Sequence, residues 1–307
     1  MFNEKVYTFI LDCDIIDKNF NGGFVMLILD ILKSIIYGII EGITEWLPIS
    51  STGHLILLEG LIPFKTVDNN FFEMFEVVIQ LGAIIAVIIL FWSKLWPFKA
   101  KTTSDSGIMP YLKTETITLW GKVIVATLPS AIIGLPLDDF LDEHLYNQTT
   151  VSITLILYGI FFILVELWNK KRIPRIETLA DISFGTAALV GCFQALAMIP
   201  GTSRSGATIL GAILIGIARP VAAEFSFFLA IPTMFGASLL KIVKYLAEGK
   251  GFGLSEIIVL LVGMAVSFIV SIIAIKGLMA YVKKRDFSFF GYYRIVLGLI
   301  VMAVLIL

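Results

Sequence analysis

The chain has 307 residues, a formal net charge of −1 and a hydrophobic fraction of 58%, with a mean hydropathy of +0.94. Soluble domains carry roughly 45–50% apolar residues, so this composition excludes an ordinary soluble globule, and the absence of a basic footprint excludes a nucleic-acid partner. Runs near the ~20 apolar residues needed to cross a bilayer recur along the chain, which makes it an all-α, polytopic membrane protein surrounded by membrane lipids.

Residues 1–25 read as a poorly ordered N-terminal extension. They carry Glu4, Lys5, Asp12, Asp14, Asp17 and Lys18, without the basic-then-apolar order of a signal peptide. A single membrane domain, 26–307, follows. Its ten apolar segments lie at about 25–44, 50–62, 72–92, 117–137, 151–168, 182–199, 205–218, 222–243, 254–280 and 289–307. Length separates them better than periodicity, because buried membrane helices are apolar all round. The segments at 50–62, 182–199 and 205–218 are short for a full span. Two of these follow a turn of proline and hydroxyls, a pattern that predicts re-entrant hairpins. The expected architecture is six spanning helices plus two re-entrant helix pairs. Cys13 and Cys192 stand far apart with no metal spacing and read as small core residues.

The chain also repeats itself. PISSTGHLILL at 48–58 and PGTSRSGATIL at 200–210 each have proline, one spacer, a hydroxyl, a serine (Ser51 and Ser203), then a glycine and an apolar helix. Glu41 and Gln194 hold similar places upstream. Each repeat, 26–170 and 180–307, would be one re-entrant pair followed by three spans. Three is odd, so the second repeat enters the membrane from the opposite side, and both serine loops come toward the midplane. Basic residues concentrate at Lys94, Lys99, Lys101 and Lys113, at Lys170, Lys171, Arg172 and Arg175, and at Lys283, Lys284 and Arg285. These loops fall on one side, expected to be cytoplasmic. The acidic loop with Asp138, Asp139, Asp142 and Glu143 falls outside. The loop with Lys241, Lys244 and Lys250 falls outside as well and fits less well, although Glu248 and Glu256 dilute its charge.

The polar residues inside these segments suggest chemistry. Glu41 and Glu45 share a helical face, and two like charges in lipid are costly unless one is protonated or a cation lies between them. They read as a ligand pair for a divalent cation, Mg²⁺ or Ca²⁺, or as acid–base groups. Ser50, Ser51 and Thr52 follow Pro48 and open a helix. One of them is a natural N-cap, and the turn is also an anion site. Beside Ser51, His54 becomes a candidate base or nucleophile. Arg204 sits among Ser203, Ser205 and Thr208 at a second helix start, and its fork of donors matches phosphate oxygens. Glu73, Glu76, Gln80 and Glu224 are candidates to line the same cavity, and Asp30 with Lys33 reads as an interfacial pair. The set suits a phosphorylated ligand with a lipid tail.

EGITEWLPISSTGH at 41–54 and PGTSRSGAT at 200–208 resemble the two signature motifs of the undecaprenyl-diphosphatase family, the bacitracin-resistance proteins. The likeness continues through AAEFSFFLAIP at 222–232 and YYRIVLGL at 292–299 and covers nearly everything from about residue 26. The resemblance implies hydrolysis of undecaprenyl diphosphate to undecaprenyl phosphate. This recycles the lipid carrier of peptidoglycan and other envelope polymers and confers bacitracin resistance. It also implies a bacterial cytoplasmic membrane location with the active site open to the outer face. Carried over by motif, Ser51 and His54 would be nucleophile and partner. Glu41 and Glu45 would assist metal binding or proton transfer. Arg204 would clamp phosphate with support from Ser203, Ser205 and Thr208, beside Ser50 and Thr52. A polyprenyl-phosphate transporter or flippase is the rival reading, since inverted repeats with broken helices suit transport. The oligomeric state stays open, a homo-oligomer included.

Overall fold

The computed structural model describes residues 22–65, 67, 69–99 and 111–306. Most of the extension expected at 1–25, and Lys101 of the first basic loop, lie outside the described residues. The described chain forms α1 (Gly22–Thr44), α2 (Ser51–Leu61), α3 (Asn69–Val78), α4 (Gln80–Leu90), α5 (Trp92–Leu95), α6 (Thr114–Leu145), α7 (Gln148–Asn169), α8 (Phe184–Ala195), α9 (Arg204–Leu214), α10 (Arg219–Ala247), α11 (Leu254–Val282) and α12 (Ser288–Ile306). A 3₁₀ turn, Leu196–Met198, follows α8. Among the described residues, pairing of extended chain is limited to two isolated bridges, Phe98 with Leu112 and Ile176 with Ile217. Among the described residues, five stretches are long and apolar enough to cross a membrane: Phe71–Leu90, Thr114–Gly134, Gln148–Asn169, Arg219–Ala247 and Leu254–Val282. The protein is thus an all-α polytopic membrane protein. The described apolar part of α12, Ser288–Ala303, is shorter.

Two boundaries differ from expectation, each for a local reason. The segment expected at 72–92 breaks at Ile79. There Gln80 Nε2 donates to Glu76 O at 3.4 Å, the carbonyl that its own backbone amide would take in an unbroken helix. The acidic stretch 138–143, expected as a loop, continues α6 as helix to Leu145. The turn falls instead on Asn147, whose side chain caps α7 by accepting from Thr150 N at 2.9 Å.

The helices pair across the two halves of the chain. α1 lies along α11, α8 along α6, and α7 along α12. Glycines let these backbones touch, as small residues do in membrane helix pairs. A Cβ on Gly38 of α1 would meet Gly263 O of α11 at 2.6 Å, and one on Gly191 of α8 would meet Ala126 O of α6 at 2.1 Å. The first helix of each half therefore packs against the second long helix of the other half.

The basic loops meet at one end. Lys94 Nζ pairs with Glu224 Oε1 near the start of α10 at 2.5 Å. Glu166, near the end of α7, accepts from Arg219 Nε at 2.9 and 3.1 Å and from Phe287 N, just before α12, at 3.1 Å. At the opposite end, Tyr146 after α6 donates to Glu76 of α3. There too the buried Asp30 accepts from Lys33 Nζ at 3.2 Å and from Lys65 N at 3.0 and 3.1 Å.

Candidate active site

Two short helices, α2 and α9, begin side by side at the centre of the molecule. Each is capped by a serine in an unusual conformation. Ser50 has φ 74° and accepts from Gly53 N at 3.3 Å, and Ser203 has φ 71° and accepts from Gly206 N at 3.1 Å. Among the described residues these are the two non-glycine positions with positive φ, a conformation costing ~1–2 kcal/mol. Strain of this kind clusters at functional sites. The repeat register follows the caps. Ser50 matches Ser203, so Ser51 matches Arg204, one residue displaced from the alignment that the shared prolines suggest.

The two first-turn side chains converge on Glu45. Ser51 Oγ donates to Glu45 Oε2 at 3.0 Å. Arg204 donates to Glu45 Oε1 from Nη2 at 2.9 Å and from Nε at 3.2 Å. Its Nη1 is held by Ser226 O at 2.8 Å, and the guanidinium lies 5.7 Å from the centre of the Trp46 ring. Glu45 and Arg204 are 7% and 11% exposed at their side chains, so this is a largely desolvated ion pair. A cavity of about 200 Å³ opens beside it, lined by Glu45, Ser51, Thr52, Ser203 and Arg204. Gln80, Gln194, Ser130 and Thr233 complete its polar wall.

Other expected site residues are placed differently. His54 does not meet the Ser51 hydroxyl. Its Nδ1 lies 2.6 Å from Ser50 O and its Nε2 lies 2.7 Å from Tyr293 Oη, with the two rings stacked. A carbonyl only accepts, so Nδ1 carries hydrogen and a neutral ring accepts the Tyr293 hydroxyl at Nε2. In this structure the Ser51 hydroxyl bonds Glu45 rather than His54. Ser205 Oγ donates to Glu45 O at 3.0 Å. Thr208 is fully buried and bonds Arg204 O at 2.9 Å and Ser226 Oγ at 2.6 Å. These two hydroxyls brace the loop rather than line the cavity. Glu224 sits with Lys94 at the basic end, not at the cavity, while Gln80 does line it.

Glu41 is fully buried, and neither of its carboxyl oxygens has a hydrogen-bond partner. No cluster of three or more His, Cys, Asp or Glu side chains forms among the described residues, so an all-protein metal cage is not assembled there. Mg²⁺ is commonly held by one or two carboxylates plus substrate phosphates. The unpartnered oxygens of Glu41, one helical turn from Glu45, fit that kind of ion.

Arg294 was not among the candidates. It is fully buried on α12. It donates to Pro48 O at 3.3 Å, Gly201 O at 2.8 Å and Thr202 O at 3.0 Å, and so ties both proline turns together. Its signal was an arginine within an apolar run, which in a membrane calls for carbonyl or acidic partners.

A sequence model of the bacitracin resistance protein BacA family matches residues 34–300. The chain belongs to this family. Curated relatives resemble it along nearly their whole length. The undecaprenyl-diphosphatase of Acetivibrio thermocellus is 58% identical over 273 residues, 89% of this chain and 97% of the relative. That of Enterococcus faecalis is 59% identical over 275 residues, covering 90% and 97%. That of Latilactobacillus sakei is 54% identical over 282 residues, covering 92% and 100%. The match takes in both serine turns, Glu41, Glu45, His54, Arg204 and Arg294.

Proposed function

We propose that this BacA-family chain is an enzyme that hydrolyses undecaprenyl diphosphate to undecaprenyl phosphate and inorganic phosphate. Such an activity returns the lipid carrier to envelope synthesis and competes with bacitracin for its target. Family membership, and relatives that are undecaprenyl-diphosphatases over about 90% of the chain, support it. The observation that carries the mechanism is the single Glu45 carboxylate, which accepts from Ser51 on one oxygen and from Arg204 on the other.

Ser51 Oγ attacks the terminal phosphorus and passes its proton to Glu45 Oε2. The bond from that phosphorus to the bridging oxygen breaks, and the lipid monophosphate leaves. Water then attacks the phosphoserine, the bond from phosphorus to Ser51 Oγ breaks as Glu45 returns its proton to that oxygen, and inorganic phosphate departs carrying both hydrogens of the water. Arg204 turns its guanidinium toward the transferring phosphoryl group, where charge grows in the transition state. The free N–H groups of α2 and α9 add partial positive charge at the same place. His54, gripped at both nitrogens, holds the strained Ser50 turn and orients Ser51. A divalent cation held by Glu41 and Glu45 would supply Lewis-acid neutralisation of the phosphate oxygens when bound.

The exchanged pairing of the halves and the matching capped turns support an inverted-topology repeat with six spans and two re-entrant pairs. Clustering of the basic loops at one end supports a cytoplasmic face there, which leaves the first hairpin open to the outside of a bacterial cytoplasmic membrane. Transport alone would need no hydroxyl bonded to a carboxylate. Phosphate release from undecaprenyl diphosphate by the purified full chain tests the reading. Turnover that is abolished in Ser51→Ala supports it, and no release by the wild type overturns it. Chelation should remove activity and added Mg²⁺ or Ca²⁺ should restore it. Full turnover after exhaustive chelation would leave Glu41 and Glu45 as acid–base groups alone.

A further inference from the structure

The cavity has a second polar wall that the hydrolysis steps above do not use. Gln194 on α8 is 2% exposed and lines the cavity with Ser130 of α6 and Thr233 of α10. Its Nε2 donates to Ser130 Oγ at 2.8 Å and to Thr233 Oγ1 at 3.1 Å. Both hydroxyls already give their own protons to helix carbonyls, Ser130 to Thr127 O at 2.9 Å and Thr233 to Leu229 O at 2.8 Å. That leaves Gln194 Oε1 buried with no partner. Such an atom is costly unless something else binds there.

The position of this shelf matches a diphosphate. Arg204 is anchored on Ser226 of α10. Thr233 lies two turns further along the same face of that helix, so shelf and clamp stand ~10 Å apart along its axis. The cavity lies between them. Beyond the shelf its lining turns apolar, with Ala197, Met198, Met234 and Ala237.

We propose that Gln194, backed by Ser130 and Thr233, is the subsite for the second phosphate, the one that stays on the lipid. This rests on the diphosphatase reading above. On binding, the amide turns over. The Ser130 and Thr233 hydroxyls then donate to Oε1, and Nε2 gives its hydrogens to phosphate oxygens. Amide oxygen and nitrogen are nearly isosteric, so the exchange needs no extra room. The chemistry of the residue fits the task. Gln194 precedes its capping Ser203 by the same interval at which Glu41 precedes Ser50. A carboxylate at the second place would repel the anion, whereas a neutral amide binds it. The apolar lining beyond then receives the first isoprene units.

The test is inhibition of phosphate release from undecaprenyl diphosphate by inorganic diphosphate and, separately, by inorganic phosphate. Wild type is compared with Gln194→Glu and with the near-isosteric Thr233→Val. In Gln194→Glu, inhibition should require at least ~10-fold more inorganic diphosphate, as expected for the loss of a hydrogen bond to a charged group. KM should rise by more than kcat falls. Inhibition by inorganic phosphate, which the Arg204 side binds, should change less than about 2-fold. Thr233→Val should move the same way by roughly 3-fold, and it carries the test should the acidic variant not fold. Unchanged diphosphate inhibition in both variants, or equal weakening for both anions, overturns the subsite. Should wild type release no phosphate from the lipid, the diphosphatase reading fails by itself. Calorimetric binding of inorganic diphosphate then decides the subsite, with weaker binding to the variants supporting it and equal binding overturning it.

Discussion

At the residue scale, Glu45 accepts hydrogen bonds from both Ser51 and Arg204, and in the proposed mechanism its two neighbours should respond differently to substitution. Glu45→Gln keeps the shape but cannot take the Ser51 proton. Its kcat should fall ~10²–10⁴-fold, the usual contribution of a general base, as read by phosphate release at saturating substrate. Arg204→Lys keeps the charge but loses the fork. It should lose most activity, and near-normal turnover would remove Arg204 from the phosphate site. His54→Ala should retain more activity than Ser51→Ala if, as in the proposed mechanism, Glu45 and not the imidazole receives the Ser51 proton. Tyr293→Phe, which only ungrips Nε2, should be milder still. A phosphoryl group trapped on His54 would reverse this order. Spacing alone favoured His54, since it lies one turn past Ser51. The positive φ at Ser50 was invisible in the sequence, and it turns Ser51 toward Glu45 while His54 faces the Ser50 carbonyl. Arg294 was legible only as an oddity, because the carbonyls that it binds come from turns far away in the chain.

At the scale of the element, the helices were legible from apolar length, and their ends from proline, glycine and hydroxyl residues. α9 ends at Leu214, and the chain turns away at Gly216, with φ 96°, where Ile217 N reaches Ala212 O at 3.0 Å, a helix stop that glycine favours. The break at Ile79 was not legible, because no proline marks it and its visible trace is the contact of the Gln80 side chain with the Glu76 carbonyl. The strained caps give a paired prediction. Ser50→Ala and Ser203→Ala lose the cap and keep the strain, so each should destabilise by ~1 kcal/mol or more. Ser50→Gly and Ser203→Gly lose a few tenths of a kcal/mol as caps and relieve the ~1–2 kcal/mol of the positive φ. The glycine variants should therefore melt at or above wild type and the alanine variants below it, as measured by thermal unfolding in detergent. Alanine variants as stable as the glycine ones would show that φ at these positions is not strained.

Over the whole molecule, the polytopic class was legible from composition, while the basic loops carry the proposed sidedness. The ion pairs that gather those loops were not legible, because each joins residues distant in sequence, as Lys94 does with Glu224. Single-cysteine labelling in whole cells reads sidedness directly, in a background lacking Cys13 and Cys192. A cysteine at position 172 should resist an impermeant reagent from outside, and one at position 146 should react. Labelling of position 172 from outside would overturn the inverted arrangement.

The exchanged pairing of α1 with α11 also sets an order of events at the ribosome. α1 ends at Thr44, and its partner begins only at Leu254. At ~5–20 residues per second, roughly ten to forty seconds separate their synthesis. During that interval Glu41 and Glu45 have left the ribosome without the helices that enclose them, and carboxylates facing lipid are expensive. The enclosure of Glu41 and Glu45 is therefore completed only when the later helices arrive.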